Sequence, residues 1–210
     1  MANPYKVVED FERALSEYTG APYVVTTNSC TNALQICLDF YACIFSGVMK
    51  KEVTIRLPKY TYCSVPMACI NAGFKVQFDD RQWRGTYQLN PLQIWDSARR
   101  FTKGMWKPGQ MQCVSFHWNK ILGIQQGGAV LLGNKDIALR LRRQRFDGRT
   151  AGIAPKDDEF IIGRHCYMSP EIAAEGLIRL SFLPEKNEDL PNDDYPDLSL
   201  QQCFKEYTKR

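Results

Sequence analysis

Residues 115–133 read SFHWNKILGIQQGGAVLLG and carry the most specific pattern in the chain. An apolar strand is predicted to end at Ser115–Phe116, Lys120 follows at a five-residue offset, and Gly127–Gly128 leads into a second apolar strand. A lysine held at the edge of a core can have a lowered pKa and form an imine with a carbonyl compound. The alternative is a solvated surface lysine, which is the commoner fate of a single Lys.

On the N-terminal side of this block, helix-like and strand-like segments alternate. Apolar residues at helical spacing predict helices in residues 7–20, 31–45 and 64–73. Short apolar runs predict strands at 23–26, 52–58 and 75–80. This order predicts an α/β fold with three layers, in which helices cover both faces of a mostly parallel mixed sheet.

The rest of the chain is less regular. Residues 81–91 are predicted to be a loop and Gln93–Trp95 a short strand. Further helices are predicted at 135–146 and 169–183, the second with Ser169 as its N-cap. The acidic, proline-rich stretch after residue 183 is typical of an extended arm. We therefore divide the chain into a shortened large domain, residues 1–183, and a C-terminal arm with a short helix, residues 184–210.

Composition limits the possible functions. The net charge of +4 over 210 residues is too weak to indicate a nucleic-acid-binding protein, although it favours small anions. The eight cysteines form no Cys-x-x-Cys pair, so no zinc or other metal site is expected, and most are predicted to be buried, reduced thiols. No segment has the length and hydropathy of a membrane span or signal peptide, so a cytoplasmic location is expected.

Three further motifs precede the Lys120 block. Ser29 and Thr31 lie where a strand meets a helix start, a position that binds phosphate or simply caps the helix. Tyr62 follows the next strand, where its ring could stack on a flat cofactor or cover the core. Asp96 follows the apolar run QIW, and a buried carboxylate there needs a cationic or hydrogen-bonding partner unless it caps a helix.

Taken in order, these motifs resemble the fold-type-I pyridoxal-phosphate (PLP) enzymes. The chain is most similar to the DegT/DnrJ/StrS family of nucleotide-sugar aminotransferases. The similarity is carried by five stretches that together cover most of residues 7–180: FERALSEYTGAPYVVTTNSCTNAL, PKYTYCSVPMACINAGFKVQFDD, WDSARRF, SFHWNKILGIQQGGAVLLGNKDIALRLRRQRFDGR and GRHCYMSPEIAAEGLIRL.

The resemblance assigns the chemistry to two residues. Lys120 matches the lysine that binds the cofactor covalently and shuttles a proton. Asp96 matches the aspartate that keeps the pyridine nitrogen protonated, so that the ring acts as an electron sink. The family transfers an amino group from glutamate or glutamine to a nucleotide-linked keto-sugar.

The remaining cofactor contacts are implied in the same way. Ser115 matches a phosphate-binding serine, and Cys30 and Thr31 match the Gly-Thr pair that holds the same phosphate beside Ser29. Tyr62 matches the ring that stacks on the cofactor. Arg99 stands where the family has Gln or His near that ring.

Several positions depart from the family pattern. Cys30 replaces a glycine, and only sixteen residues separate Asp79 from Asp96, which implies that a βα unit is missing. Most of the small C-terminal domain is expected to be absent as well. His165 replaces an asparagine on a loop that reaches the neighbouring cofactor in relatives, which implies a homodimer with shared active sites. The alternative for His165 is a packed structural histidine.

Two rival functions remain open. A degenerate relative could have kept the fold for binding or assembly without turnover, and the shortened core and Cys30 favour that hypothesis. Arginines in RLRRQRFDGR, residues 140–149, raise the possibility of nucleic-acid binding. Apolar residues interleave with them, so an exposed helix face or a site for substrate phosphates is the preferred interpretation.

Overall fold

The computed structural model describes residues 5–45, 52–192 and 194–207. Within these ranges the helices are α1 (Lys6–Thr19), α2 (Cys30–Ile44), α3 (Ser64–Asn71), α4 (Lys135–Arg145), α5 (Pro170–Ser181) and α6 (Gln202–Lys205). The strands are β1 (Tyr23–Thr27), β2 (Thr54–Pro58), β3 (Lys75–Asp79), β4 (Tyr87–Gln88), β5 (Ile94–Asp96), β6 (Met111–Ser115) and β7 (Gly128–Leu132). The predicted terminal helix is reduced to α6, and its last predicted residues, 208–210, lie outside the described ranges.

The main sheet has the strand order β1-β7-β6-β5-β4, and β2 and β3 form a separate parallel pair. A single hydrogen-bonded bridge between Arg56 and Asn90 connects the two sheets. In the main sheet β5 and β6 are parallel, whereas the other three pairings are antiparallel. The prediction of a mostly parallel sheet is therefore wrong.

Short connections explain the antiparallel pairings. Residues 89–93 join β4 to β5, which is too short for the crossover that parallel neighbours need. Residues 116–127 join β6 to β7 without a helix, so the chain turns back beside itself. The segment predicted to be a loop, residues 81–91, contains β4, which pairs with β5. Between Asp79 and β5 the chain thus forms only this two-residue edge strand.

Helices cover both faces of the main sheet, as the three-layer prediction requires. Ala129 and Leu131 of β7 pack into a core with α1 and α5, whereas Val130 and Leu132 of the same strand pack into a core with α2, α3 and α4. This alternation follows from the two-residue period of a β-strand. Gly176 of α5 permits the close packing on α1, because an added Cβ would lie 2.4 Å from the Phe11 ring.

An ion network covers the outer edge of β1. The Glu12 carboxylate of α1 binds Arg145 at 2.5 Å and Arg142 at 3.0 Å, and it accepts a hydrogen bond from the Thr26 amide at 2.9 Å. Arg142 and Arg145 also donate to the carbonyls of Val24 and Thr26. Unpaired backbone groups at a sheet edge are thereby satisfied by side chains. Arg142 and Arg145 thus point into the protein, so the alternative of an exposed helix face is wrong for these two arginines.

The Glu12 carboxylate is ionised in this network. Burial by itself would raise its pKa, but the positive charges of Arg145 and Arg142 and the hydrogen bonds from Thr26 hold the pKa below its usual value. Removing this charge would leave two partly buried guanidinium groups without their main partner.

The cysteines are free thiols in the structure. Four of them are buried, whereas Cys43, Cys63 and Cys203 are exposed, so the prediction of burial holds for only part of the set. In the described ranges, no helix has both the length and the apolar character needed to cross a bilayer.

Candidate active site

Three strands that run in the same direction bring Asp96, Ser115 and Ser29 to one edge of the sheet. β5 is parallel to β6, and β1 is antiparallel to β7, which is itself antiparallel to β6. Asp96 is the last residue of β5, Ser115 is the last residue of β6, and Ser29 follows β1. Ligands of α/β proteins bind at the carboxyl ends of such strands.

Asp96 is buried and hydrogen-bonded. Its Oδ2 accepts from the Tyr87 hydroxyl at 3.0 Å and its Oδ1 accepts from the Ala98 amide at 2.9 Å. No helix starts at Asp96, so the helix-cap alternative is wrong. Burial raises the pKa of this carboxyl group, while its two hydrogen bonds and the positive charges of Lys120 and Arg99 act against the rise.

Lys120 is half-buried in the turn after β6, where its amide donates to the His117 carbonyl at 2.8 Å. Burial lowers the pKa of its ammonium group, and the positive charge of Arg99 lowers it further. The negative charge of Asp96 acts in the opposite direction, so the two residues interact electrostatically. A lysine with a lowered pKa offers more neutral amine at neutral pH than an ordinary surface lysine does.

The predicted phosphate site lies at the N-terminus of α2. Ser29 caps this helix through its hydroxyl, which accepts from the Asn32 amide at 3.2 Å. The Thr31 hydroxyl shares a 2.8 Å hydrogen bond with Ser64. Both hydroxyl groups are thus already hydrogen-bonded within the protein. An anion would therefore meet the backbone amides and the positive dipole end of α2.

Ser115 lies beside this helix N-terminus. It is the register partner of Gly128, and a Cβ added to Gly128 would lie 2.5 Å from the Cys30 amide nitrogen. Only glycine permits so close an approach of β7 to α2, and this approach brings Ser115 next to Cys30. Burial raises the pKa of the Cys30 thiol strongly, with a further contribution from the charge of Asp96. Cys30 therefore carries a neutral thiol in the place of the family's glycine.

Tyr62 is exposed and belongs to a cluster of aromatic rings. Its ring centroid lies 6.4 Å from that of Tyr195, and Tyr195 in turn stacks on Trp83 with an interplanar angle of 17°. Tyr195 and Trp83 were missed in the sequence, as was Tyr87, which holds Asp96. No local pattern distinguished these three aromatic residues from ordinary core or loop residues.

Arg99 joins the C-terminal arm to the site. Residues 185–197, which we call the strap, lie along this edge of the sheet; residue 193 is not described. The Arg99 side chain binds Asp194 at 2.5 Å, donates to the Tyr195 hydroxyl at 2.8 Å, and contacts the Pro191 carbonyl. The only sequence signal for this contact was the charge complementarity between the pair Arg99–Arg100 and the acidic arm.

His165 is exposed and lies beside Asp147 and Phe146, which follow α4. Its Nδ1 atom lies 2.9 Å from Asp147 Oδ2, its ring contacts Tyr167, and its backbone pairs with Phe146. The packed-histidine alternative is therefore wrong. None of its interactions within the described ranges involves Asp96 or Lys120, so a single chain does not bring His165 into the site.

A cavity of about 1050 Å³ lies elsewhere, between α1 and α4. Glu12, Arg142 and Arg145 contribute to its lining, whereas none of the predicted site residues does. Glu12 pairs with both Arg142 and Arg145 here, and volume alone does not identify this cavity as the functional site. Across the described ranges, no cluster of three or more His, Cys, Asp or Glu side chains is arranged to hold a metal ion.

Comparison with known proteins identifies a family through the N-terminal half of the chain, which includes Asp96 but neither Ser115 nor Lys120. The profile of the DegT/DnrJ/EryC1/StrS aminotransferase family matches residues 1–107. The UDP-4-amino-4,6-dideoxy-N-acetyl-beta-L-altrosamine transaminase of Campylobacter jejuni is 22% identical over 232 aligned residues, which cover 88% of this chain and 60% of the transaminase.

Solved structures show a similar fold. A DegT DnrJ EryC1 StrS aminotransferase from Brucella abortus matches with a TM-score of 0.66 and 20% identity, covering 83% of this chain and 58% of that protein. The Helicobacter pylori aminotransferase PseC, involved in the biosynthesis of pseudoaminic acid, matches with a TM-score of 0.67 and 16% identity. That match covers 86% of this chain and 63% of PseC. The chain thus spans about 60% of the length of such relatives.

Proposed function

Because this chain belongs to the DegT/DnrJ/EryC1/StrS aminotransferase family, we propose that it is a PLP-dependent aminotransferase. We infer that it moves an amino group from glutamate or glutamine to a nucleotide-linked keto-sugar. The Campylobacter relative, whose name denotes a transaminase of a UDP-linked amino sugar, supports this class of acceptor. Because the chain spans about 60% of that relative, the acceptor is part of the proposal and is tested below.

The observation that carries the proposal is the placement of Asp96 and Ser115 at the ends of the parallel strands β5 and β6, with Lys120 in the turn that follows β6. The structure contains a half-buried amine with a lowered pKa and a buried carboxyl group with a raised pKa, and the charge of each acts on the pKa of the other. Perturbed groups of opposite charge at a strand edge are typical of active sites.

The residues present fit PLP. Asp96 has hydrogen-bond donors on both oxygens but no ion pair among the described residues, so a protonated pyridine nitrogen would supply the missing cation. Ser115 and the N-terminus of α2 would hold the phosphate, and Tyr62 would cover one face of the ring. Cys30 adds a side chain to the phosphate loop, but it is neutral and therefore does not repel an anion.

When bound, PLP supplies an electron sink that makes the substrate carbon acidic. The chain's own residues then divide the remaining work. The neutral Lys120 Nζ accepts and returns a proton, which requires the lowered pKa that burial provides. The Asp96 carboxylate would keep the proton on the pyridine nitrogen. The buried position of Asp96 strengthens this interaction because water does not screen it.

The direct test is spectroscopic. The purified chain should take up PLP with an absorption band in the near-visible range, and added glutamate should shift that band as the first half-reaction proceeds. A panel of nucleotide-linked keto-sugars should then restore the original spectrum. Protein that takes up no PLP and shows no change with glutamate would instead support the alternative of a degenerate binding or assembly protein.

Asp96→Asn should retain the fold and lower transamination about 100-fold or more, because a neutral amide no longer keeps the ring nitrogen protonated. The raised pKa of Asp96 means that its ionised form lowers stability at neutral pH, so the variant should resist urea at least as well as the original chain. Stopped-flow spectra of the glutamate half-reaction measure the effect. Asp80→Asn, at an exposed carboxylate, is the matched control. Unchanged turnover in Asp96→Asn would contradict the role given to Asp96.

We also propose a homodimer with shared active sites, in which the loop that carries His165 meets the partner. Two apolar side chains on this loop are largely exposed, with Ile162 at 90% and Phe160 at 61%. Large exposed apolar side chains mark protein interfaces.

Ile162→Asp should weaken self-association about tenfold or more, since a charge would replace a buried apolar contact. Sedimentation velocity over a dilution series measures the dimer dissociation constant. A chain that is monomeric at every concentration, or an Ile162→Asp variant that dimerises unchanged, would count against this interface.

A further inference from the structure

The Arg99 guanidinium is held by groups of the strap. Its side chain is 11% exposed, and its three donor nitrogens go to the Asp194 carboxylate, the Tyr195 hydroxyl and the Pro191 carbonyl. The backbone of Arg99 also binds the strap, because its carbonyl accepts a hydrogen bond from the Leu190 amide at 2.9 Å. The cation is thus buried and rigidly placed.

Arg99 lies three residues after Asp96 in the chain, and the Tyr195 ring, whose hydroxyl accepts from Arg99, lies beside the Tyr62 ring. The positive charge of Arg99 lowers the pKa of Lys120 and counteracts the rise in the pKa of Asp96. The Arg99 guanidinium and the Lys120 amine therefore face one region at the strand edge. A guanidinium group attracts an anion, and it binds a carboxylate more strongly than it binds a neutral hydroxyl or carbonyl group.

In the ion pair between Arg99 and Asp194, the Asp194 carboxylate is the group that another carboxylate could replace. The Asp194 side chain is 66% exposed, in contrast to the buried guanidinium. The strap is anchored independently on both sides of Asp194. Arg100 holds Asp189 through two hydrogen bonds of 2.8 and 2.6 Å, and Lys59 holds Asp197 at 3.2 Å. Asp194 can therefore leave Arg99 without the strap detaching from the protein.

We propose that Arg99 binds a carboxylate of the amino donor, and that Asp194 occupies this position until the donor displaces it. The inference rests on the proposed function, since it names the residue that recognises the donor. The exchange is one carboxylate for another on the same guanidinium, so the net charge at Arg99 is unchanged. Release of Asp194 would also move the adjoining Tyr195, which contacts both Tyr62 and Arg99.

The test uses glutarate, a dicarboxylate without an amino group, which cannot be transaminated. Its affinity for the full chain is measured by calorimetry. Asp194→Asn should bind glutarate about fivefold more tightly, because the internal competitor is gone. Arg99→Gln should bind it about tenfold more weakly, since the charge-assisted contact is lost. Glu185→Gln removes a strap carboxylate that pairs with exposed Lys103 instead, and its affinity should stay within about twofold.

Hydrogen exchange of the unmodified chain provides a second readout that needs no variant. Saturating glutarate should speed amide exchange in residues 190–197 and leave residues 185–189 unchanged. Glutarate affinity that is the same in Asp194→Asn, or unaltered exchange in the strap, would overturn the inference. PLP uptake in the same preparations separates this failure from failure of the proposed function, because glutarate binding at Arg99 does not require the cofactor.

Discussion

Lys120→Ala should abolish the near-visible absorption band of the PLP-loaded chain and lower transamination by about 1000-fold or more, because it removes both the covalent attachment point and the proton carrier. Absorption spectra after PLP addition and desalting measure the first effect, and single-turnover reactions with glutamate measure the second. Lys135→Ala, at an exposed lysine that begins α4, is the matched control and should behave like the original chain. A band that persists in Lys120→Ala would remove Lys120 from its proposed role.

The pH dependence of the same reaction follows from the pKa of Lys120. Burial and the charge of Arg99 lower this pKa, so the neutral amine forms at a lower pH than in an ordinary lysine. The rate should rise with pH through this lowered pKa. Since Arg99 contributes to the shift, Arg99→Gln should move the rising limb of the profile to higher pH. A profile that rises only near the ordinary lysine value of about 10.4 would contradict the environment described for Lys120.

Glu12→Gln should lower the free energy of unfolding by about 3–5 kcal/mol, since it leaves Arg142 and Arg145 without their buried counter-charge. The amide keeps the size of the side chain, so the effect reports the charge rather than a cavity. Urea denaturation followed by circular dichroism measures the loss. Glu9→Gln on the same helix is the matched control, because the Glu9 side chain is exposed and lies 4.0 Å from Lys6. It should change stability by less than about 0.5 kcal/mol.

The Glu12 effect should also depend on pH. The folded pKa of Glu12 is lower than its unfolded pKa, so its contribution is present in full above the unfolded value and is lost as pH falls through the folded one. The difference between the original chain and Glu12→Gln should therefore shrink in acid. A constant difference from neutral pH down to acid, or a loss no larger than that of Glu9→Gln, would contradict the network at the edge of β1.

Local patterns predicted most helices and strands because such elements depend on neighbours in the chain. The helical spacing of Phe11 and Leu15 predicted α1, and the Ser169–Pro170 signal predicted the start of α5, where the Ser169 hydroxyl does accept from the Ile172 amide. β4 escaped prediction because its two residues pair with β5 rather than showing any period of their own.

The candidate site divides in the same way. Lys120, Asp96 and Ser115 were predicted because each lies at or shortly after the end of an apolar strand, and strand ends of one direction meet at one edge. Tyr195 and Asp194 could not be placed there, since they lie 96 and 95 residues from the Arg99 side chain that they bind. The function of Arg142 and Arg145 was equally hidden, because Glu12 lies 130 and 133 residues away.

The sequence by itself determined the family, the candidate lysine and most of the succession of helices and strands, since all of these depend on short stretches whose periodicity and spacing are visible without the fold. Only the tertiary structure decided the direction of the strands, the burial of Glu12 between two arginines and the placement of the strap against Arg99. These depend on which distant segments the folded chain brings within hydrogen-bonding distance. Exclusion of water there strengthens the interactions between charged groups.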